Sequence, residues 1–175
     1  MNNSVEKLVK DLNEFSHRNN FEVPVIDGFE KIKTNGDNII FSAKSKDNFI
    51  ESLIEDRKLS SIEDVKSKIA SIIKEMQKFF KQNGAEIETA FYKELVINSI
   101  SYYVYIQKTS YEKNVNMQIS AYFLEPNSKF LYQLSILSPT FDKNVFDDKA
   151  EMELTFKLIK MIEAVLPGIK FVWLN

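Results

Sequence analysis

The chain has 175 residues, of which 44% are hydrophobic and 27% charged, as expected for one folded globular domain spanning residues 1–175. The net charge of -2 provides no general attraction to nucleic acid or to an anionic membrane surface. Cysteine is absent and no apolar run is long enough for a membrane-spanning helix, so we expect no disulfides and no membrane insertion. If Met1 is the native start, a cytoplasmic location follows.

The first predicted elements are one helix and several short strands. Apolar residues at helical spacing predict a helix over residues 4–17. The runs Phe21–Ile26 and Asn38–Ala43 predict strands, the second after the turn signal "TNGD". The segment Asn48–Lys58 is compatible with a strand or a helix, and we favour the strand.

The segment Ile62–Gln82 has the strongest helical pattern in the chain. Ser60 and Glu63 form a capping-box pattern in front of it, and Asn83-Gly84 is a stop signal. An apolar stripe runs along the segment through Ile62, Val65, Ile69, Ile72, Ile73, Met76, Phe79 and Phe80.

Four strands with short connections follow, at about Glu86–Leu95, Ser99–Lys108, Val115–Leu124 and Phe130–Ser138. Short connections predict antiparallel hairpins, and hence a meander. A helix over Asp147–Val165 and a last strand in "IKFVWL" complete the pattern. This order predicts an α+β fold in which an antiparallel sheet packs against helices, with an α/β/α sandwich if helices cover both faces.

The order of these segments resembles the PsbP-like family. The segments are "VPVIDGF" and "IIFSA", the helix "SSIEDVKSKIASIIKEM", "INSISYYVYIQK", "KFLYQLSILSP" and "TFKLIKMIEAVLP". The family includes the photosystem II extrinsic protein, a yeast Ran-binding import factor and many small bacterial lipoproteins. The resemblance spans roughly residues 21–166, and it implies an α/β/α sandwich with a binding role and no catalysis. Two features depart from the family: bacterial members often carry a lipobox cysteine, which is absent here, and the helix at 4–17 lies outside the pattern.

Residue counts argue against most catalytic chemistry. A single histidine, His17, and no cysteine exclude zinc sites built from histidine and cysteine, and also cysteine nucleophiles. The four glycines are isolated and form no phosphate-binding loop. We therefore expect no cofactor and no enzymatic activity.

The strand at Ser99–Lys108 alternates between two different faces. Ile100, Tyr102, Val104 and Ile106 form an aliphatic face, whereas Tyr103 and Tyr105 lie on the other. The next two strands repeat this division, so that a face nearly free of charge collects Tyr103, Tyr105, Tyr122, Gln118 and Gln133. We call these five residues the tyrosine face. Two interpretations are open: a partner-binding surface, since tyrosine is enriched at interfaces, or a second core layer covered by the N-terminal or C-terminal helix.

A second candidate for partner binding is the acidic segment, residues 142–153, with Asp142, Asp147, Asp148 and Glu151. Its spacing is not that of a calcium loop, and its place at a predicted helix start explains part of it. A surface of this charge would attract a basic protein partner.

The leading functional hypothesis is therefore a non-catalytic bacterial protein-binding module. Its most specific version is an immunity protein that neutralises a toxin by binding a basic domain of that toxin. The alternative is a carrier of a small apolar or aromatic ligand, in a pocket between sheet and helix lined by Phe79, Phe91, Tyr102 and Phe123.

Overall fold

A computed structural model describes the backbone of residues 21–22, 30–31, 39–44, 49–58, 62–124 and 130–171, and the side chains of 65–124 and 131–169. The helix predicted at 4–17 and His17 lie outside these residues. In chain order the elements are β1 (Phe21–Glu22), β2 (Glu30–Lys31), β3 (Ile39–Lys44), β4 (Phe49–Lys58), α1 (Ile62–Gln82), β5 (Ala85–Ile97), β6 (Ile100–Tyr111), β7 (Asn114–Leu124), β8 (Phe130–Leu137), β9 (Phe141–Asp142), α2 (Asp148–Val165), a 3-10 turn (Leu166–Gly168) and β10 (Lys170–Phe171).

The helix α1 has the predicted bounds, and its end follows from local chemistry. Gly84 has a φ of 78°, a left-handed conformation that glycine adopts without strain. Its N–H donates to the carbonyl of Lys81, so one of the last helical carbonyls has a partner. The chain then enters β5 directly.

The four strands β5 to β8 form the predicted antiparallel meander. Every neighbouring pair is antiparallel, and Tyr103 of β6 is in register with Tyr122 of β7, which is in register with Gln133 of β8. The tyrosine face therefore lies on one side of the sheet, and the alternation read from the sequence is confirmed.

The sheet continues beyond the meander through the earlier strands. β4 pairs with β8, and the order across the sheet is β2-β3-β4-β8-β7-β6-β5, with β9 paired to one end of β7. The ambiguous segment is thus a strand, and a bulge lies between Glu55 and Lys58 where it pairs with β8. β1 and β10 form a separate two-stranded ribbon.

Helices cover both faces of the meander, which makes an α+β protein with an α/β/α arrangement. On one side Leu154, Leu158 and Ile162 of α2 pack on the aliphatic face of β6, β7 and β8. On the other side Val65 and Ile69 of α1 pack on Tyr103, Tyr122 and Leu131. The C-terminal helix, one of the two helices considered above for the tyrosine face, lies on the opposite side of the sheet, so that alternative is wrong. The other, the helix predicted at 4–17, lies outside the described residues, and the face is covered by α1 (Ile62–Gln82), which neither alternative named.

Candidate interaction surface

The tyrosine face is largely enclosed beneath α1. Tyr122 has 1% of its surface exposed, and Tyr103 and Gln133 are also buried, whereas Tyr105 and Gln118 are half-buried. The Sδ of Met76 on α1 lies 3.2 Å from Nε2 of the buried Gln107, so the helix contacts the sheet along its second half as well. The core-layer interpretation thus describes most of this face.

A compact polar network fills the part of this layer between β7 and β8. Nε2 of Gln133 donates to the hydroxyls of Ser120 and Ser135 at 3.1 and 3.0 Å, and Nε2 of Gln118 donates to the same two at 2.9 and 3.0 Å. The two serine oxygens are 2.9 Å apart. Because these groups satisfy one another, the glutamines are held in place and have a structural role.

A chain of aromatic rings leads from this layer to the surface at β5. The ring of Tyr105 is 5.8 Å from that of Tyr122 on its inner side and 5.3 Å from that of Phe91 on its outer side, both edge-to-face. Phe91 is 55% exposed. Tyr105 is therefore the member of the predicted face that connects the interior with accessible surface.

The acidic residues lie on the other side of the sheet, so the structure does not bring the two predicted groups together. Oδ1 of Asp147 accepts from the N–H of Ala150 and caps α2, and Oδ1 of Asp142 accepts from the N–H of Asn144. Glu151 forms an ion pair with Lys108 at 2.6 Å. Asp148 is exposed. Three of the four carboxylates thus have partners within the chain.

The hydrogen bond to Glu151 favours the protonated form of Lys108. It is the main cause that raises the pKa of Lys108 above its ordinary value of 10.5; partial desolvation opposes it, and the charges of Glu151, Glu88 and Asp148 add to it. Lys108 is therefore firmly cationic at neutral pH.

The sequence predicted the strand β5, but sequence reasoning missed its position at one edge of the sheet. Among the described strands its only neighbour is β6. It is 13 residues long, and a bulge between Phe91 and Lys93 interrupts its register with β6. Its outer side therefore presents a row of backbone groups that a further strand can pair with.

The side chains of β5 combine exposed apolar groups with negative charge. Phe91, Tyr92 and Val96 are all exposed, Val96 to 66%. Glu86, Glu88 and Glu94 are exposed as well, whereas Lys93 forms an ion pair with Glu163 of α2 at 2.9 Å. We call this outer side of β5, with its exposed apolar and acidic side chains, the β5 edge surface. Three glutamates in one predicted strand are the sequence signal that points to an edge.

The four aromatic residues considered for a ligand pocket do not share one. Phe91 lies on the α1 side of the sheet and Phe79 is an exposed residue of α1. Tyr102 and Phe123 are buried on the α2 side, with ring centroids 5.1 Å apart. The pocket that would combine these four residues is therefore absent from the described part of the chain.

Neither a metal-binding group nor a membrane-spanning helix is present among the described residues. Among the described side chains of residues 65–124 and 131–169, no three histidine, aspartate or glutamate residues come together as a metal-binding group. Neither α1 nor α2 is long and apolar enough to cross a membrane.

The fold has a counterpart among solved structures. No protein-family model matches the chain, and no curated protein matches it. Among solved structures it is similar to the solution structure of cyanobacterial PsbP (CyanoP) from Synechocystis sp. PCC 6803. The TM-score is 0.59, the identity is 8%, and the match covers 88% of each chain. The chain has a PsbP-like fold. The predicted resemblance is confirmed at the level of the fold, and at this identity it assigns no site residue.

Proposed function

We propose that the protein is a non-catalytic binding module whose partner protein adds a basic, extended segment to β5. The observation that carries the proposal is the β5 edge surface: a long strand with one neighbour among the described strands and exposed aromatic and aliphatic side chains. Strand addition to a sheet edge takes affinity from main-chain hydrogen bonds and specificity from alternate side chains.

The charge of the edge supports a basic partner. Glu86 and Glu88 lie on one side of the sheet and Glu94 on the other, so lysines or arginines on either side of an added strand would each meet a carboxylate. The same charges, together with the bulge, oppose pairing between identical edges, which protects the chain from aggregation. The charges of the β5 edge surface thus favour a basic strand over a second copy of the same edge.

The aromatic side chains support a specific contact beyond the backbone. The ring of Phe91 packs edge-to-face against Tyr105, which packs in the same way against the buried Tyr122. The exposed ring of Phe91 is therefore fixed in position by its contact with the interior. Rigid aromatic anchors of this kind dominate many protein interfaces. A bacterial toxin domain with a basic strand is a partner of this chemistry, and neutralisation of such a toxin is the finer form of the proposal.

The experiment is affinity capture from lysate of the source cells, with identification of captured proteins by mass spectrometry. The wild type is compared with Phe91→Ser/Val96→Ser, which alters the β5 edge surface, and with the control Val145→Ser, which alters an exposed apolar residue in the turn before α2. All three proteins must have the same circular dichroism spectrum and melting temperature.

We expect a captured protein that is lost with the β5 variant and retained by the Val145→Ser control. A synthetic peptide of the basic strand of that protein should then bind the wild type, and salt should weaken the binding. Capture that is unaffected by the β5 substitutions, or no specific capture by the wild type, would contradict the proposal.

A further inference from the structure

The helix α2 has a second apolar side that points away from the sheet. Met152 and Phe156 are one helical turn apart and are 56% and 59% exposed. Ile159 follows at similar spacing, but it is half-buried and packs against the core, so it marks the edge of this side. We call Met152 and Phe156 the α2 stripe. Large apolar side chains in neighbouring positions of an exposed helix face are a marker of an interaction site.

The stripe is not needed to hold α2 on the sheet. That task is performed by Leu154, Leu158, Ile162 and Val165, all of which are buried and lie on the opposite side of the helix. Substitution of Met152 or Phe156 should therefore leave the fold intact, so the stripe can be tested separately from stability.

Charged residues flank the stripe in a pattern that complements itself. Lys149 and Glu163 form ion pairs within the chain. Glu153 and Lys160 lie on the same flank of the stripe, seven residues apart. When two copies of α2 lie antiparallel, with Phe156 of one against Phe156 of the other, Glu153 lies opposite Lys160 of the second copy. In a parallel two-fold pair this flank of one helix and the same flank of the other lie on opposite sides of the interface, so Glu153 and Lys160 would not meet.

We propose that the α2 stripe is a docking surface for a second copy of this chain, with the two α2 helices packed antiparallel. The apolar side chains supply the buried contact, and the reciprocal charges set the orientation. The proposal concerns a surface separate from the β5 edge surface, and it stands whether or not β5 binds a partner.

The first experiment measures self-association by sedimentation velocity at concentrations up to about 1 mM, a range that includes weak dimers. We expect the wild type to form a dimer and Phe156→Glu to remain a monomer. A wild type that stays monomeric throughout would overturn the proposal.

The second experiment tests the orientation by reversing charges. Glu153→Lys and Lys160→Glu each place two like-charge pairs across the interface, and each should weaken the dimer about tenfold, since an exposed pair has a modest effect. An equimolar mixture of the two variants should regain dimerisation, because the opposite charges then meet again. The double variant Glu153→Lys/Lys160→Glu should regain dimerisation without a second variant present.

The matched control is Lys157→Glu, which makes the same lysine-to-glutamate change as Lys160→Glu on the same helix, but away from the stripe. It should leave the dissociation constant of the dimer unchanged. All of these positions are exposed, so circular dichroism and melting temperature should match the wild type. Self-association with the same affinity in the wild type, Phe156→Glu and the charge variants would overturn the proposal, because the contact would then use another surface.

Discussion

Three tyrosines of β6 lie in surroundings that oppose ionisation of their hydroxyl groups. Burial raises the pKa of Tyr102 well above its ordinary value of 10.0. Burial is also the main cause that raises the pKa of Tyr103; the charge of Glu94 adds to it, and a hydrogen bond with Ser101 acts in the opposite direction. Burial is also the main cause that raises the pKa of Tyr105, and the charge of Tyr103 adds to it.

We expect the protein to lose stability as the pH rises above 10.0, the ordinary pKa of tyrosine. In that range the unfolded chain releases protons that the folded chain retains, so the free energy of unfolding falls with pH. Tyr102→Phe should reduce the decline, because phenylalanine has no proton to release. Urea denaturation at neutral pH and above 10.0 measures the effect.

The exposed Tyr111→Phe is the matched control for the tyrosine substitution. An identical alkaline decline in the wild type, Tyr102→Phe and Tyr111→Phe would show that ionisation of Tyr102 does not contribute.

At the scale of single elements, the start of α2 shows how acidic residues serve the fold. Asp147 has extended backbone angles, and its carboxylate accepts from the N–H of Ala150 at 2.8 Å. Asp148 and Glu151 lie in the first turn, near the positive end of the helix dipole. Part of the acidic segment is therefore explained by helix initiation.

Asp147→Ala should lower the free energy of unfolding by about 1 kcal/mol, the usual effect of losing an N-cap side chain. Asp148→Ala removes the same charge one residue later without breaking the capping bond, and its effect should be a fraction of this. Urea denaturation of the two variants beside the wild type measures the difference. An equal decrease in the free energy of unfolding of Asp147→Ala and Asp148→Ala would indicate that the loss of negative charge, and not the loss of the capping bond, is the cause.

The boundaries of α1, β7 and β8 could be predicted because their causes are local. Helix α1 is marked by a capping pattern, an apolar stripe and Asn83-Gly84, and it was predicted with the observed bounds. The predictions for β7 and β8 were correct to within one residue at each end. In β6 the alternation also indicated correctly which residues share a face.

The helix that covers each face could not be predicted in the same way. Both helices carry apolar residues, and the choice between the two faces depends on contacts between residues far apart in the sequence. The face bearing Tyr103 and Tyr122 is covered by α1, whose Val65 and Ile69 are no more apolar than Leu154 and Leu158 of α2. The edge position of β5 could not be predicted for the same reason, because strand order in a sheet depends on contacts between residues far apart in the sequence.

At the scale of the whole molecule, one sheet serves two cores of different composition. The α2 side is mainly aliphatic and aromatic, whereas the α1 side includes tyrosines and the hydrogen-bonded serines and glutamines. Strands β6, β7 and β8 contribute to both, so damage to one core is transmitted to the strands that support the other. We therefore expect the described part of the chain to unfold cooperatively.

Ile69→Ala and Leu158→Ala remove buried methyl groups from the two cores, and each should lower the free energy of unfolding by about 2–5 kcal/mol. Each variant should unfold in one transition that far-ultraviolet and near-ultraviolet circular dichroism detect at the same urea concentration. Phe79→Ala, at an exposed position of α1, is the control and should have a small effect. Separate transitions in Ile69→Ala would show that the two cores are independent.

The tight turns at the two ends of β5 have a consequence for molecular recognition. Gly84 joins β5 to α1, and Asn98 and Ser99, both with positive φ, close the hairpin to β6. A strand tethered at both ends in this way has little freedom left to lose when another chain aligns with it. An incoming segment therefore bears nearly the whole entropic cost of ordering, and stiffening that segment, for example by cyclisation, is the most direct route to a tighter ligand.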